Sequence, residues 1–412
     1  MQMQILNIFE NETLPLNTEE VLIAKKMKQN NPTLPFDVID EGILSFAPYT
    51  VGSIQINDKI INITPRHSAF TLGTIFEMIL FLNGVSINNN STVGYDCAEY
   101  SGIDFIPKYF CDVCSKLINY GLTGGYKKEY NISKYINGDI VFEKYNHNII
   151  LAEGIHNVQQ LYTLNIKENQ IIKAALQKLL SISSKQLSYE ITSLLREFDY
   201  VDVFTENILN YNPKISQFYS CNPHYEEVLE ISIIILKDLK LSFNNGRMQW
   251  FSFLQNSNDL FEKYVRKIVS QVVTLPVEKW SIPKQFASIV YDNKNGQKAY
   301  APDILIDYEA EKETCKIVLD VKNKTFMPNQ LNLSDIISNA DIYQILFYCN
   351  KLSTNLAGLI YPANENIEPI SLTIDNKQDI RLVLLSINMT NSHYKRIDTL
   401  KNDLQNSLLK YL

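Results

Sequence analysis

Pro302-Asp303-Ile304-Leu305-Ile306-Asp307 reads as a strand, the charged stretch 308–314 as a turn, and Cys315-Lys316-Ile317-Val318-Leu319-Asp320-Val321-Lys322 as a second strand. In a hairpin whose turn is centred between Glu311 and Lys312, Asp303 lies opposite Asp320. Strand side chains alternate between faces, so Asp320 and Lys322 share a face, about 7 Å apart along the chain, while Ile317, Leu319 and Val321 take the other. Two carboxylates and an ammonium on one side of a sheet suit metal-dependent phosphodiester hydrolysis. Oxygen ligands from Asp303 and Asp320 match Mg²⁺, which prefers carboxylates, waters and substrate phosphate to a closed protein cage. The ion acidifies a bound water and draws charge from the phosphate, and Lys322 can orient that water or stabilise developing negative charge. The same residues also fit a surface hairpin with a cross-strand salt bridge.

Two helices are placed to complete such a site. Upstream, NDLFEKYVRKIVSQVV is amphipathic, with Phe261, Tyr264, Val265, Ile268 and Val272 inward. Glu262 near its first turn has two readings that spacing does not separate. It can complete the metal shell, or it can serve the helix itself, since Asp259 with Glu262 makes a D-x-x-E capping arrangement and Arg266 stands one turn on as an ion-pair partner. Downstream, a helix over 334–350, opened by Ser334, carries Asp341, Gln344 and Tyr348 on one stripe. Next to a metal site, a Gln and a Tyr on that stripe can hold DNA phosphates or the lysine. Standing alone, the stripe would be one side of a half-buried amphipathic helix.

The wider pattern predicts a multidomain chain of α/β (α+β) class. Residues 1–150 read as strands and turns with one helix, a mixed α/β module in which VGSIQINDKIINITP alternates apolar and polar residues around an Asn57-Asp58 turn. Helical periodicity begins after Gln159, and residues 151–248 read as a helical middle region, with Asn222 and Pro223 starting its last helix. Residues 249–412 read as a helix, strands over 285–323, a helix, a strand at 356–361, two strands over 369–388 and a C-terminal helix.

Composition narrows the function. The chain has 412 residues, 45% of them hydrophobic, enough for more than one core. Its net charge of -7 excludes a basic clamp that binds nucleic acid by general phosphate neutralisation. No apolar run reaches the roughly 20 residues of a membrane span, and the opening MQMQILNIFENETLPL lacks a signal-peptide pattern, so the expectation is a cytoplasmic protein without a membrane partner. Six scattered cysteines fit a reducing compartment. Cys111-x-x-Cys114 lacks a second ligand pair, and Phe110, Val113 and Leu117 put both thiols on an amphipathic helix rather than in a zinc site. The five histidines form no pattern, and Gly121-Leu-Thr-Gly-Gly-Tyr-Lys is not a Walker loop, so no nucleotide-binding motif of its own is expected. Lys116, Lys127, Lys128 and Lys134, mixed with Tyr109, Tyr120, Tyr126, Tyr130 and Tyr135, make either a partner-facing basic aromatic surface or a solvated face over packed tyrosines.

The order helix with Glu, strand with Pro-Asp, strand with Asp-x-Lys, helix with Gln-x-x-x-Tyr resembles the PD-(D/E)xK (restriction-endonuclease-like) superfamily, in the branch that shares Gln-x-x-x-Tyr with RecB-type nucleases. VGSIQINDKIINITPRH, NYGLTGGY, INGDI, KENQIIKAALQKLL, NDLFEKYV, ADIYQILFYC and AGLIYP extend the likeness along most of the chain to the McrC family, the nuclease subunits of McrBC-type and LlaJI-type restriction systems. The resemblance implies that Glu262, Asp303, Asp320 and the backbone carbonyl of Val321 ligate Mg²⁺, with Mn²⁺ as a substitute, and that Lys322 is the catalytic lysine. It implies double-stranded DNA as substrate and a separate AAA+ GTPase or ATPase of McrB type as partner, docked on the N-terminal module and stimulated by it. Where the family tends to have Arg-Gly this chain has Asn137-Gly138, so a role for that arginine in stimulating the partner does not carry over. Two other readings remain: an adaptor that has lost catalysis and only activates the AAA+ ring, and a RecB-like repair exonuclease.

Overall fold

In the computed structural model the alternating segment forms two antiparallel strands, Thr50–Ile56 and Lys59–Thr64, turning at Asn57 with a φ of 54°. Asn tolerates that left-handed backbone better than most residues. The structure describes residues 4–39, 42–65, 70–85, 104–144, 154–208, 211, 222–244, 247–278, 286–291, 294–299, 301–324, 326, 337–374 and 379–412. His67, His147, Cys97, Cys221 and Ser334 lie outside them. The fold is mixed α/β and divides into two compact units, residues 1–105 with 241–412, and residues 106–240. These boundaries differ from cuts at 150 and 248 because distant segments share sheets.

The first of those sheets joins the ends of the first unit. Its strands run in the order Gln4–Phe9, Lys59–Thr64, Thr50–Ile56, Arg247–Asn256, Lys240–Asn244. At Gly52 (φ 130°) a Cβ would lie 2.0 Å from the carbonyl oxygen of Phe253, so the pairing of Thr50–Ile56 with Arg247–Asn256 requires glycine there. A small sheet of Thr13–Pro15, Ile43–Phe46 and Phe36–Ile39 and the helix Thr18–Asn30 close a core around Met27, Phe36, Leu44, Ile54, Ile61 and Ile63. The helix starts at Asn17, whose side chain accepts from the Glu20 N–H while Glu20 accepts from the Asn17 N–H. One helix was expected before residue 150; the described residues there hold three, Thr18–Asn30, Leu72–Leu82 and Phe105–Tyr120. Thr18–Asn30 escapes a periodicity reading because it buries only Glu20, Ala24 and Met27.

The second sheet of this unit has six strands in the order Val277–Glu278, Ile304–Ile306, Ile317–Val321, Leu356–Ala363, Ile380–Asn388, Ile370–Ile374. Its middle pairs, Ile317–Val321 with Leu356–Ala363 and Leu356–Ala363 with Ile380–Asn388, are parallel; the outer ones are antiparallel. Every residue of Ile317–Val321 and Leu356–Ala363 is buried, as expected where helices cover both faces. On one face Leu305, Val318, Ala357, Leu359 and Tyr361 pack against Ile345, Tyr348, Cys349 and Leu352 of the helix Asn339–Lys351. The helices Ser257–Val272 and His393–Ser407 also pack on this sheet, and meet each other through a hydrogen bond of 3.0 Å between the Tyr264 hydroxyl and His393 Nδ1.

The second unit holds the sheet Gly125–Ser133, Ile155–Thr163, Asp139–Ile140 and the helices Lys167–Leu180, Lys185–Arg196 and His224–Asp238. A buried Asn169 accepts from the Tyr225 hydroxyl at 2.8 Å, and Asn222 Nδ2 donates to the carbonyls of Leu117 and Gly121. The region read as helical from 151 therefore contains a strand, Ile155–Thr163, paired across residue 150 to Gly125–Ser133. Among the described residues no helix is long and apolar enough to cross a membrane.

Candidate active site

Ile304 pairs with Leu319, Leu305 with Val318 and Ile306 with Ile317. The isolated bridge between Glu309 and Thr314 continues the same register toward the turn. One step the other way, it sets Asp303 against Asp320, the opposition read from the sequence. Leu305 and Val318, two residues along on each strand, face Asn339–Lys351, so the two acids share the face that this helix covers.

The side chains interlock. Asp303 Oδ2 accepts from the Val321 N–H at 2.8 Å, which ties its carboxylate to the neighbouring strand. Lys322 Nζ lies 2.5 Å from Asp320 Oδ2 and 3.3 Å from Asp341 Oδ1, and donates to Gln344 Oε1 at 2.7 Å. Gln344 turns its amide nitrogen to the Tyr348 hydroxyl at 2.8 Å and to Asp320 Oδ1 at 3.4 Å. Gln344 thus bridges lysine, acid and tyrosine through a single amide. Asn323, next to the lysine, donates to Ser257 Oγ at 3.1 Å at the start of Ser257–Val272.

Burial, then the charge of Asp320, raises the Asp303 carboxyl above the ordinary carboxylate range; the Val321 N–H opposes the shift. Burial raises Asp320 as well, against the pull of Lys322. For Lys322 burial alone would lower the value, but Asp320 and Asp341 outweigh it and hold the ammonium charged. Asp341 is 4% exposed, yet hydrogen bonds from Lys324 and Ser338 outweigh burial and keep it below the usual range.

Glu262 lies on the neighbouring helix, and its charge adds to the upward shift of both Asp303 and Asp320. Its carboxylate pairs with Arg266 one turn on, and Arg266 Nε donates to the backbone carbonyl of Asp303 at 3.1 Å. The capping alternative is corrected: the helix is capped by Asn256, whose side chain accepts from the Asp259 N–H at 2.9 Å, while Asp259 pairs with Lys263. Among the described residues no group of three or more His, Cys, Asp or Glu is set around a common point for a metal ion. The Asp303 and Asp320 pair nonetheless fits one. A buried carboxylate and a half-buried one oppose each other, the charge of one raises the proton affinity of the other, and Asp320 Oδ2 has only an ion-pair contact and no well-directed hydrogen bond among the described residues. A divalent cation there would relieve that repulsion, leaving water or phosphate to complete the shell beside the Val321 carbonyl.

The downstream helix begins at Asn339 with Ser338 as its cap, four residues after the expected Ser334. Asp341, Gln344 and Tyr348 keep the stripe read from their spacing, all turned toward the lysine. Spacing did not disclose Lys324, which bonds Asp341 at 2.8 Å, or the strand-holding role of Arg266. Lys324 lies two positions beyond Lys322, past the end of the strand at Val321, and the Lys-x-Lys spacing was the available signal.

Other candidates hold no comparable arrangement. Cys111 and Cys114 are buried in Phe105–Tyr120, and burial pushes the Cys111 thiol up to about 12. His393 is buried between Tyr264 and Phe81. Of the basic aromatic segment, Tyr109 is buried and donates to Glu227 at 3.1 Å, whereas Tyr120, Tyr126, Tyr130 and Tyr135 are exposed.

Residues 47–362 match the family model described as the McrBC 5-methylcytosine restriction system component. Among solved structures, the chain is similar to one in a half-complex from a tetradecameric assembly of Thermococcus gammatolerans McrB AAA+ hexamers with bound McrC. The TM-score is 0.63 and the identity 14%, covering 98% of this chain and 100% of the other. At that identity the likeness speaks for the fold alone. A chain of the Thermococcus gammatolerans McrBC complex determined by cryo-EM matches at a TM-score of 0.48 and 11% identity, over 65% of this chain and 88% of that one, too distant to carry an argument. The comparison with curated proteins yields no match.

Proposed function

The chain belongs to the McrBC 5-methylcytosine restriction system component family, and from that premise we propose that it is the DNA-cleaving subunit of an McrBC-like restriction complex, built on a PD-(D/E)xK nuclease domain. The observation that carries the reading is the register setting Asp303 against Asp320 with Lys322 in contact with Asp320. Asp303, Asp320 and the Val321 carbonyl would hold Mg²⁺ or Mn²⁺, which supplies an acidified water and charge neutralisation on the scissile phosphate. The chain's own groups do the rest. Lys322 would place a positive charge beside the scissile phosphate, and Gln344 fixes the lysine while Tyr348 fixes Gln344. Glu262 holds Arg266, and through it the Asp303 backbone, and its charge acts on Asp303 and Asp320, so it would add a third carboxylate beside the ion.

An acidic chain without a recognition motif binds DNA weakly unaided. The partner in this reading is an AAA+ NTPase of McrB type, which hydrolyses nucleotide, selects the DNA site and is stimulated by this subunit; the similar Thermococcus gammatolerans McrC is bound to McrB AAA+ hexamers. The experiment is plasmid cleavage by the complex with nucleotide and Mg²⁺, comparing wild type with Lys322→Ala. Wild type is expected to cut and the variant to cut about a hundredfold or more slowly, with nucleotide hydrolysis kept in both. Stimulated hydrolysis without any metal-dependent cutting would make the chain an adaptor, and degradation only from DNA ends would make it an exonuclease.

A further inference from the structure

We propose that Asp341 is a positioning residue that keeps the Lys322 ammonium in the site when a divalent cation takes Asp320 away from it. The inference rests on the metal reading of Asp303 and Asp320 and adds a role for a carboxylate outside the nuclease motif. The Lys322 ammonium has three donors and three acceptors around it: Asp320 Oδ2 at 2.5 Å, Gln344 Oε1 at 2.7 Å and Asp341 Oδ1 at 3.3 Å. A divalent ion on Asp320 and an ammonium on the same oxygen repel each other, so the lysine must loosen its hold on that oxygen as the ion binds. Its side chain is 13% exposed, which leaves little water to receive the charge.

Asp341 is built to receive it. The carboxylate is buried on the first turn of Asn339–Lys351, where the helix end favours negative charge. Ser338 Oγ donates to Oδ2 at 2.7 Å, and Lys324 Nζ bonds both oxygens, at 3.1 and 2.8 Å. These contacts fix the carboxylate without covering the side of Oδ1 that faces Lys322. Gln344, one turn along, fixes the ammonium from the other side with a neutral oxygen. With Asp341 present, the lysine swings between two carboxylates while staying on Gln344. Without it, the lysine competes with the metal for Asp320.

The test is a double-mutant cycle read as Mn²⁺ affinity of the full chain by calorimetry, with thermal unfolding alongside. Asp341→Asn is expected to bind Mn²⁺ about fivefold or more weakly than wild type, and in a Lys322→Met background the same substitution is expected to change affinity by less than about twofold. Equal losses in both backgrounds would mean that Asp341 acts only as a nearby negative charge, and no loss in either would remove it from the site; both outcomes overturn the inference. Should Asp341→Asn not fold, Asp341→Ser replaces it with the same two expectations. Wild type that binds no Mn²⁺ at all overturns the metal reading itself, and this inference with it.

Discussion

Arg266 donates from Nε to the backbone carbonyl of Asp303 at 3.1 Å while its other end pairs with Glu262 one helical turn earlier. An arginine on a rigid helix therefore holds the end of the strand that carries the first acid of the site. The planar guanidinium spans the two contacts from separate nitrogens in a fixed fork, whereas a lysine would have to reach both acceptors from one point. Arg266→Lys is expected to lower the rate of metal-dependent DNA cleavage about tenfold or more, because small displacements of a ligand-bearing backbone are costly. Single-turnover cleavage checks this, and an unchanged rate would confine Arg266 to helix stability.

The pairing of Asp303 with Asp320 is legible in the sequence because a two-strand alternation and one turn fix which residues face each other. The stripe of Asp341, Gln344 and Tyr348 was legible for the equivalent helical reason. The partners of Glu262 split: Arg266 followed from spacing, but the bond from Arg266 to Asp303 joins a helix to a strand and no local pattern announces it. Lys240–Asn244 falls inside the region that reads as helical to 248, and no strand is expected at Arg247–Asn256, since its partner in the sheet, Thr50–Ile56, lies almost two hundred positions away. The strand Ile155–Thr163 was missed because it carries Tyr162, Gln160 and Gln159 on exposed or half-exposed positions and so lacks an apolar alternation.

Lys322→Ala and Asp320→Asn are each expected to reduce DNA cleavage by the complex about a hundredfold or more, the usual effect of deleting a group that stabilises charge in the transition state. Nucleotide hydrolysis by the partner should persist in both. Gel quantification of nicked and linear plasmid checks the first part, and phosphate release the second.

His393 predicts a pH dependence of stability. Burial, reinforced by Arg396 and Lys267, lowers it from 6.5 to about 4, so the folded protein keeps it neutral where the unfolded chain already binds a proton. Its contribution is fully present above pH 6.5 and is lost as pH falls toward 4. His393→Gln should flatten the acid side of the melting-temperature profile over that window. A profile that falls as steeply as wild type would assign the acid loss to other groups.

Arg396 and Glu77 form an ion pair at 2.9 Å with both side chains almost wholly buried, and Arg396 also donates to the Met389 carbonyl at 2.7 Å. Removing one partner strands the other charge, so Glu77→Ala is expected to destabilise the protein by about 3–5 kcal/mol. Denaturant unfolding measures it, and Glu77→Ala with Arg396→Met together should recover part of the loss.

The claim that Asp303 and Asp320 share one divalent ion has a direct measurement: anomalous diffraction from crystals of the full chain soaked in Mn²⁺. A single strong peak is expected between the two carboxylates, lost in Asp320→Ala crystals. A Mn²⁺ peak elsewhere, or no peak under conditions where the same preparation cuts DNA, would contradict it.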